Sequence, residues 1–91
     1  MIERKHIVLR GEVQGVGFRF YAQREAAALG IAGWVRNRLD ESVEIEAQGE
    51  TDALRRFETA MRHGPGLAFI TSAEVRPMKP IPDDARFEIV H

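Results

Sequence analysis

A ferredoxin-like α+β sandwich, with two helices on one face of an antiparallel sheet, is the fold class this sequence predicts. Three observations carry it. The hydrophobic period switches between two and 3.6 in the order β-α-β-β-α-β, with a short C-terminal strand added. Each helical segment carries one apolar stripe, so each must bury a single face. The strand segments alternate apolar with charged residues, as a sheet covered on one side and wet on the other requires.

The elements follow in chain order. His6 to Val13 places Ile7, Leu9, Gly11 and Val13 on one side and Val8, Arg10 and Glu12 on the other, the period of a half-buried strand. Gln14-Gly15-Val16-Gly17 is a turn, after which Phe18, Ala22, Ala26 and Leu29 form a helical stripe closed by Gly30, the residue expected in a left-handed C-cap. Ile31 to Arg38 and Val43 to Gln48 read as strands joined by the hairpin Leu39-Asp40-Glu41-Ser42. Asp40 and Ser42 can bond nearby backbone and close that turn, which predicts an ordinary helical-region φ at Glu41. Thr51 is the expected N-cap of a second helix, with Asp52 in its first turn and Leu54, Phe57 and Met61 inward. Gly64-Pro65 ends it. Phe69 to Val75 gives a fourth strand, Pro77, Pro80 and Pro82 are expected to break pairing, and Arg86 to Val90 offers the last strand. The open face then collects Arg10, Glu12, Arg36, Glu44, Glu46, Glu74, Arg76 and Glu88, charges of both signs suited to cross-strand pairs.

Composition narrows the function classes. Ninety-one residues make one domain, 1–91. The absence of cysteine excludes disulfides and thiolate metal sites and suits the cytoplasm. The N-terminal apolar run Ile7-Val8-Leu9 is too short for a signal or a membrane span. A net charge of −1 argues against nucleic acid as a partner. The chain is expected to be a monomer with no nucleic-acid or membrane partner.

Val13-Gln14-Gly15-Val16-Gly17-Phe18-Arg19 is the stretch that carries chemistry. Two glycines around one small residue allow backbone conformations closed to other residues, so successive N–H groups can line a concavity suited to an anion. The following helix adds its positive N-terminal end. Arg19 adds a planar fork of donors matched to phosphate oxygens. Gly-x-Gly between strand and helix is also a common tight turn. The Gly-Lys-Ser/Thr ending of a Walker loop is missing, and the third glycine of the dinucleotide fingerprint would fall at Phe20.

Gly11-x-Val13-Gln14-Gly15-Val16-Gly17-Phe18-Arg19 resembles the signature of the acylphosphatase family, and Gly33-Trp34-Val35-Arg36-Asn37 resembles its second block. The similarity continues through Val43-Glu44, Gln48-Gly49 and Gly64-Pro65, so it spans nearly the whole chain. The resemblance implies the sandwich already reached from periodicity. It implies Arg19 and Asn37 as the catalytic pair, with Gln14, Gly15, Val16, Gly17, Phe18 and Arg19 binding the phosphoryl group and Asn37 orienting water. The substrate implied is an acyl phosphate, with inorganic phosphate as product and inhibitor. No metal, cofactor or covalent phosphoenzyme is implied.

Topology supports the pairing independently. In this fold the first two strands run parallel through the first helix, so the loop after one and Asn37 at the end of the other meet at one sheet edge. Alternation puts Asn37 on the side of Val35, facing the start of the first helix. Other candidates have plainer readings. Asn37 taken alone reads as a turn residue and Trp34 as packing. His6, His63 and His91 show no metal-ligand spacing, and His63 suits the last turn of a helix. Asp83-Asp84 reads as solvated, and Glu44 with Glu46 as ion-pair partners. Two further functional readings stand beside hydrolysis. One is a phosphate-binding module without turnover, as in the related domain attached to hydrogenase-maturation carbamoyltransferases. The other is an RNA-binding sheet, which needs exposed aromatics where this face offers at most Trp34. Glu12 and Glu41 depart from the family pattern. Glu12 stands near the loop where a basic or neutral residue is common, and Glu41 replaces a usual glycine.

Overall fold

The computed structural model describes all of residues 1–91. Its elements are β1 (Ile2–Glu12), α1 (Phe18–Leu29), β2 (Ala32–Asn37), β3 (Val43–Glu50), α2 (Thr51–His63), β4 (Phe69–Met78) and β5 (Phe87–Ile89). The strands lie in the order β4-β1-β3-β2-β5. The first four pair antiparallel, while β5 lies parallel to β2. The sheet is therefore mixed rather than wholly antiparallel. The reason is geometric: β4 ends where β1 and β2 begin, the following loop crosses that end, and β5 can only run alongside β2 in the same direction.

Both helices cover one face. Ile7, Leu9 and Val13 of β1 and its loop, Val35 of β2, and Val43, Ile45 and Ala47 of β3 meet Phe18, Ala22 and Ala26 of α1 and Leu54, Phe57 and Met61 of α2 in one buried cluster. Each of the larger side chains contributes about 1.5–3 kcal/mol by leaving water. Tyr21 Oη donates to the Ala60 carbonyl at 2.8 Å, tying α1 to α2 at a polar point of the contact. Gly30 ends α1 with φ 68°, its N–H bonded to the Ala26 carbonyl, as its position predicts. No helix is long and apolar enough to cross a membrane.

Several further expectations need correction. The first strand starts at Ile2 instead of His6, and the buried Arg4 lies within it. Its guanidinium reaches Glu46 and Asp84, each at 2.8 Å, and Gln48 at 3.1 Å. Asp84, expected to be solvated, is thus an anchor of the proline-rich loop, because the buried Arg4 charge requires a carboxylate partner. Gln48 exchanges two 2.8 Å bonds with the backbone of Ile81 in the same loop. Pairing also runs past Pro77, which lies opposite Lys5. β4 is an edge strand, where a proline lacking its N–H removes no ladder bond. Thr51 is not the cap of α2, since β3 runs directly into the helix with Glu50 at the N-cap. Its hydroxyl donates instead to Glu3 Oε2 at 3.1 Å and lies 3.2 Å from the Met1 carbonyl.

The outer face is a lattice of ion pairs. Glu44 lies 2.7 Å from His6 Nε2 and 2.6 Å from Arg36 Nε. Burial raises its pKa, but hydrogen bonds from His6 and Arg36 outweigh that and hold the carboxyl below its usual range. Arg10 reaches Glu74 and Asp40, each at 3.1 Å. The Arg36 guanidinium lies 5.7 Å from the Trp34 ring centre.

A last correction is the β2–β3 hairpin. Arg38 and Ser42 face each other through a 2.9 Å backbone bond, and Glu41 N–H returns to the Arg38 carbonyl at 3.1 Å. Asp40 does bond Ser42, through both amide and hydroxyl, but closure still demands φ 71° at Glu41. A three-residue loop of this kind ends in a left-handed residue, usually glycine. A side chain there costs roughly 1–2 kcal/mol, more than the roughly 0.5–1 kcal/mol of chain entropy that glycine loses. Glu41→Gly should therefore stabilise the fold by about 0.5–1 kcal/mol and raise Tm by roughly 2–8 °C in a thermal melt. An unchanged or lower Tm would mean that the hairpin relieves this strain elsewhere.

Candidate active site

Beyond Glu12 the chain leaves the sheet and turns through Gly15 and Gly17, with φ 75° and 77°. A Cβ added at either glycine would meet nothing within 4 Å. The glycines are thus required by backbone conformation, and the space beside them is open. Gly17 is the N-cap of α1, and its carbonyl accepts the first helical bond from Tyr21 N–H at 3.0 Å. The amides of Phe18, Arg19 and Phe20 have no acceptor within the helix. No side chain caps this helix start, and its first turn holds no acidic residue. Orphan donors and the positive helix end consequently face the same concavity.

That concavity is a cavity of about 220 Å³ lined by Val13, Gly15, Gly17, Phe18, Arg19, Phe20 and Asn37. Asn37 is the last residue of β2 and stands opposite Val43, which in turn faces Leu9 on β1. Alternation along β2 holds: Val35 is fully buried under the helices, and Asn37 faces the same side. Arg19, Gly15, Gly17, Phe18 and Asn37 are thus brought together as the sequence anticipates. Val16 does not line the cavity and packs on the core instead. Glu12 is exposed at the end of β1.

Gln14 belongs to the loop whose amides are expected to bind the phosphoryl group, and its side chain is engaged elsewhere. Its side-chain amide donates to the carbonyls of Arg38 and Ser42 at 2.8 and 2.9 Å. Only its backbone is left for an anion, and its side chain ties the loop to the base of the hairpin that follows Asn37. The far end of that hairpin is braced by Asp40. Hydrogen bonds from the Ser42 hydroxyl, the Ser42 amide and Arg10 hold its carboxyl well below the usual range. The charged tip therefore stays ionised at neutral pH.

Arg19 makes one side-chain hydrogen bond, from Nη1 to His91 Nδ1 at 3.3 Å. A guanidinium only donates, so the His91 ring accepts through Nδ1. Sequence reasoning misses this neighbour, though a signal existed. A last strand running parallel to β2 must deliver the residues after it to the edge where Asn37 lies. The other histidines stay outside the site: His6 is bound to Glu44, and His63 stands in the last turn of α2 beside Arg62. No group of three or more His, Asp or Glu side chains is arranged to hold a metal ion.

Fold and site together define an α+β sandwich with an amide-lined cavity between a strand–helix loop and the end of a neighbouring strand. The family model for acylphosphatase matches residues 5–89. An acylphosphatase of Nitrobacter hamburgensis is 50% identical over 74 residues, 81% of this chain and 75% of that one. The crystal structure of acylphosphatase from Bacillus subtilis superposes with a TM-score of 0.93 at 40% identity over the whole of both chains. A full-length HypF in a phosphate- and nucleotide-bound form contains a similar unit. It matches all of this chain but 12% of its own length, with a TM-score of 0.91 at 29% identity. The chain belongs to the acylphosphatase family.

The Gln14 clamp makes a prediction. Gln14→Ala removes two hydrogen bonds worth about 1 kcal/mol each and frees the hairpin from the loop. Tm should fall, and kcat should drop about tenfold if the cavity is the reaction site and Asn37 must keep a fixed distance from the loop. An unchanged kcat in a destabilised Gln14→Ala protein would reduce the clamp to a purely structural contact.

Proposed function

We propose that the loop amides and Arg19 hold the phosphoryl group of an acyl phosphate while Asn37 places the attacking water. The observation that supports this most directly is the shared cavity of Arg19, the two glycines and Asn37. The reaction is hydrolysis of the carboxyl–phosphate anhydride. Water attacks phosphorus, the bond from phosphorus to the acyl oxygen breaks, and its electron pair leaves with the carboxylate. The water's proton passes to a phosphoryl oxygen, so the products are carboxylate and inorganic phosphate.

The physical demand is modest. Phosphoryl transfer requires positioning and charge stabilisation more than covalent help. Donors aimed at the equatorial oxygens strengthen as charge builds there. The Asn37 amide offers both an acceptor and donors, so it can orient a water in line with the leaving group. A carboxylate leaves readily and needs no strong general acid. The proposal includes a monomer acting on small molecules in the cytoplasm, in keeping with a cysteine-free chain of net charge −1. A phosphate-binding module without turnover is the competing reading, and the similar unit within HypF gives it substance. Asn37 facing the loop favours hydrolysis, because an anion nest alone has no use for it.

Arg19→Lys should lower kcat/KM at least a hundredfold, since one ammonium cannot reproduce the planar fork. Near-normal hydrolysis of benzoyl phosphate by Arg19→Lys would remove Arg19 from this role. Asn37→Ala should collapse kcat while inorganic phosphate still inhibits with an unchanged constant, because the nest stays whole. Joint loss of turnover and phosphate inhibition would make Asn37 a binding residue instead of a water holder.

A further inference from the structure

Phe20 is an apolar ring left 72% exposed in the first turn of α1, directly after Arg19. It lines the anion cavity and also a larger groove of about 730 Å³ beside α1. The groove follows one helix face, Phe20, Gln23, Arg24 and Ala27, at the i, i+3, i+4 and i+7 spacing of neighbours on a helix surface. Ile31 closes its far end and Phe87 of β5 lines its other wall. We propose that Phe20 and the near end of this groove receive the acyl part of the substrate and bias the enzyme toward apolar, aryl-sized acyl phosphates. The proposal rests on the reading of the loop as the phosphoryl site.

Three arguments converge on it. The two spaces share Phe20, so a molecule anchored by its phosphate must pass that ring on leaving the cavity toward α1. In-line attack fixes the direction. Water held by Asn37 comes from the sheet wall, so the leaving carboxylate departs on the opposite side. Phe20 belongs to the helix wall. The exposed ring offers an apolar face that another ring can cover in an offset or edge-on stack. The methylene stem of Arg24 can extend that surface while its charge stays in water. An acetyl group is too short to use this face, whereas a benzoyl group spans it.

The test is a selectivity ratio: kcat/KM for benzoyl phosphate over acetyl phosphate, measured for the unaltered protein, Phe20→Ala and Phe20→Leu. Phe20→Ala should lower the ratio at least tenfold, through KM for benzoyl phosphate, and Phe20→Leu should recover most of it. Benzoate binding measured by calorimetry should weaken in Phe20→Ala, while inorganic phosphate binding stays within twofold. Parallel loss for both substrates, or an unchanged ratio with unchanged benzoate binding, would overturn the assignment. If the unaltered protein hydrolysed neither substrate, the catalytic reading would fail, and benzoate against phosphate binding would still decide the role of Phe20.

Discussion

The constraint on which the site depends is the parallel relation of β1 and β2 across the intervening β3. A right-handed crossover through α1 returns the chain in its original direction, so both strands finish at one edge of the sheet. The loop after β1 and the last residue of β2 then share that edge without any direct pairing between their strands. β3 sets the distance between them, through the aligned register of Leu9, Val43 and Asn37. Gln14 fixes the remaining freedom by reaching from the loop to both sides of the hairpin base. A site built this way keeps its geometry through rigid elements, with one short tether across the gap.

The opposite end of the sheet is held by different physics. Arg4 carries a buried charge against two carboxylates and the Gln48 amide, and this group fastens the loop that leads into β5. Such networks contribute little net stability relative to well-packed apolar residues. Their value here is positional. With the loop fastened, β5 settles beside β2 and completes the wall of the groove next to α1. The ion pairs on the outer face are mostly exposed and individually weak. They fill the solvent side of the sheet while the helices hold the other.

Much of this was legible in the sequence, because periodicity reports which face of an element is apolar. The stripes Phe18, Ala22, Ala26 and Leu54, Phe57, Met61 are the buried faces of the two helices. The glycines at 15 and 17 marked the loop that lines the cavity, and the β-α-β order brought Asn37 to it. What stayed hidden depends on partners distant in sequence. A buried Arg4 looks like any surface charge until Glu46 and Asp84 converge on it. The Gln14 side chain shows no partner until the hairpin lies within reach. Pro77 looks like a strand breaker unless the strand is known to be an edge. Glu41 shows that residue preference was outweighed by loop closure: the two ends of the hairpin had to meet, and the backbone took a strained angle to let them.

The uncapped start of α1 has a thermodynamic consequence. Its first-turn amides lack partners, and the residue placed among them is a cation, Arg19, at the positive end of the helix dipole. The helix start therefore gathers like charge at one point, and the anion proposed to bind there would act as its cap. Binding energy that completes a helix is also folding energy. Inorganic phosphate at a hundred times its dissociation constant would add about 2.7 kcal/mol to the stability of the native state. For a small domain that is a substantial share of the whole. With phosphate bound there as proposed, the enzyme would be most firmly folded when its product is abundant.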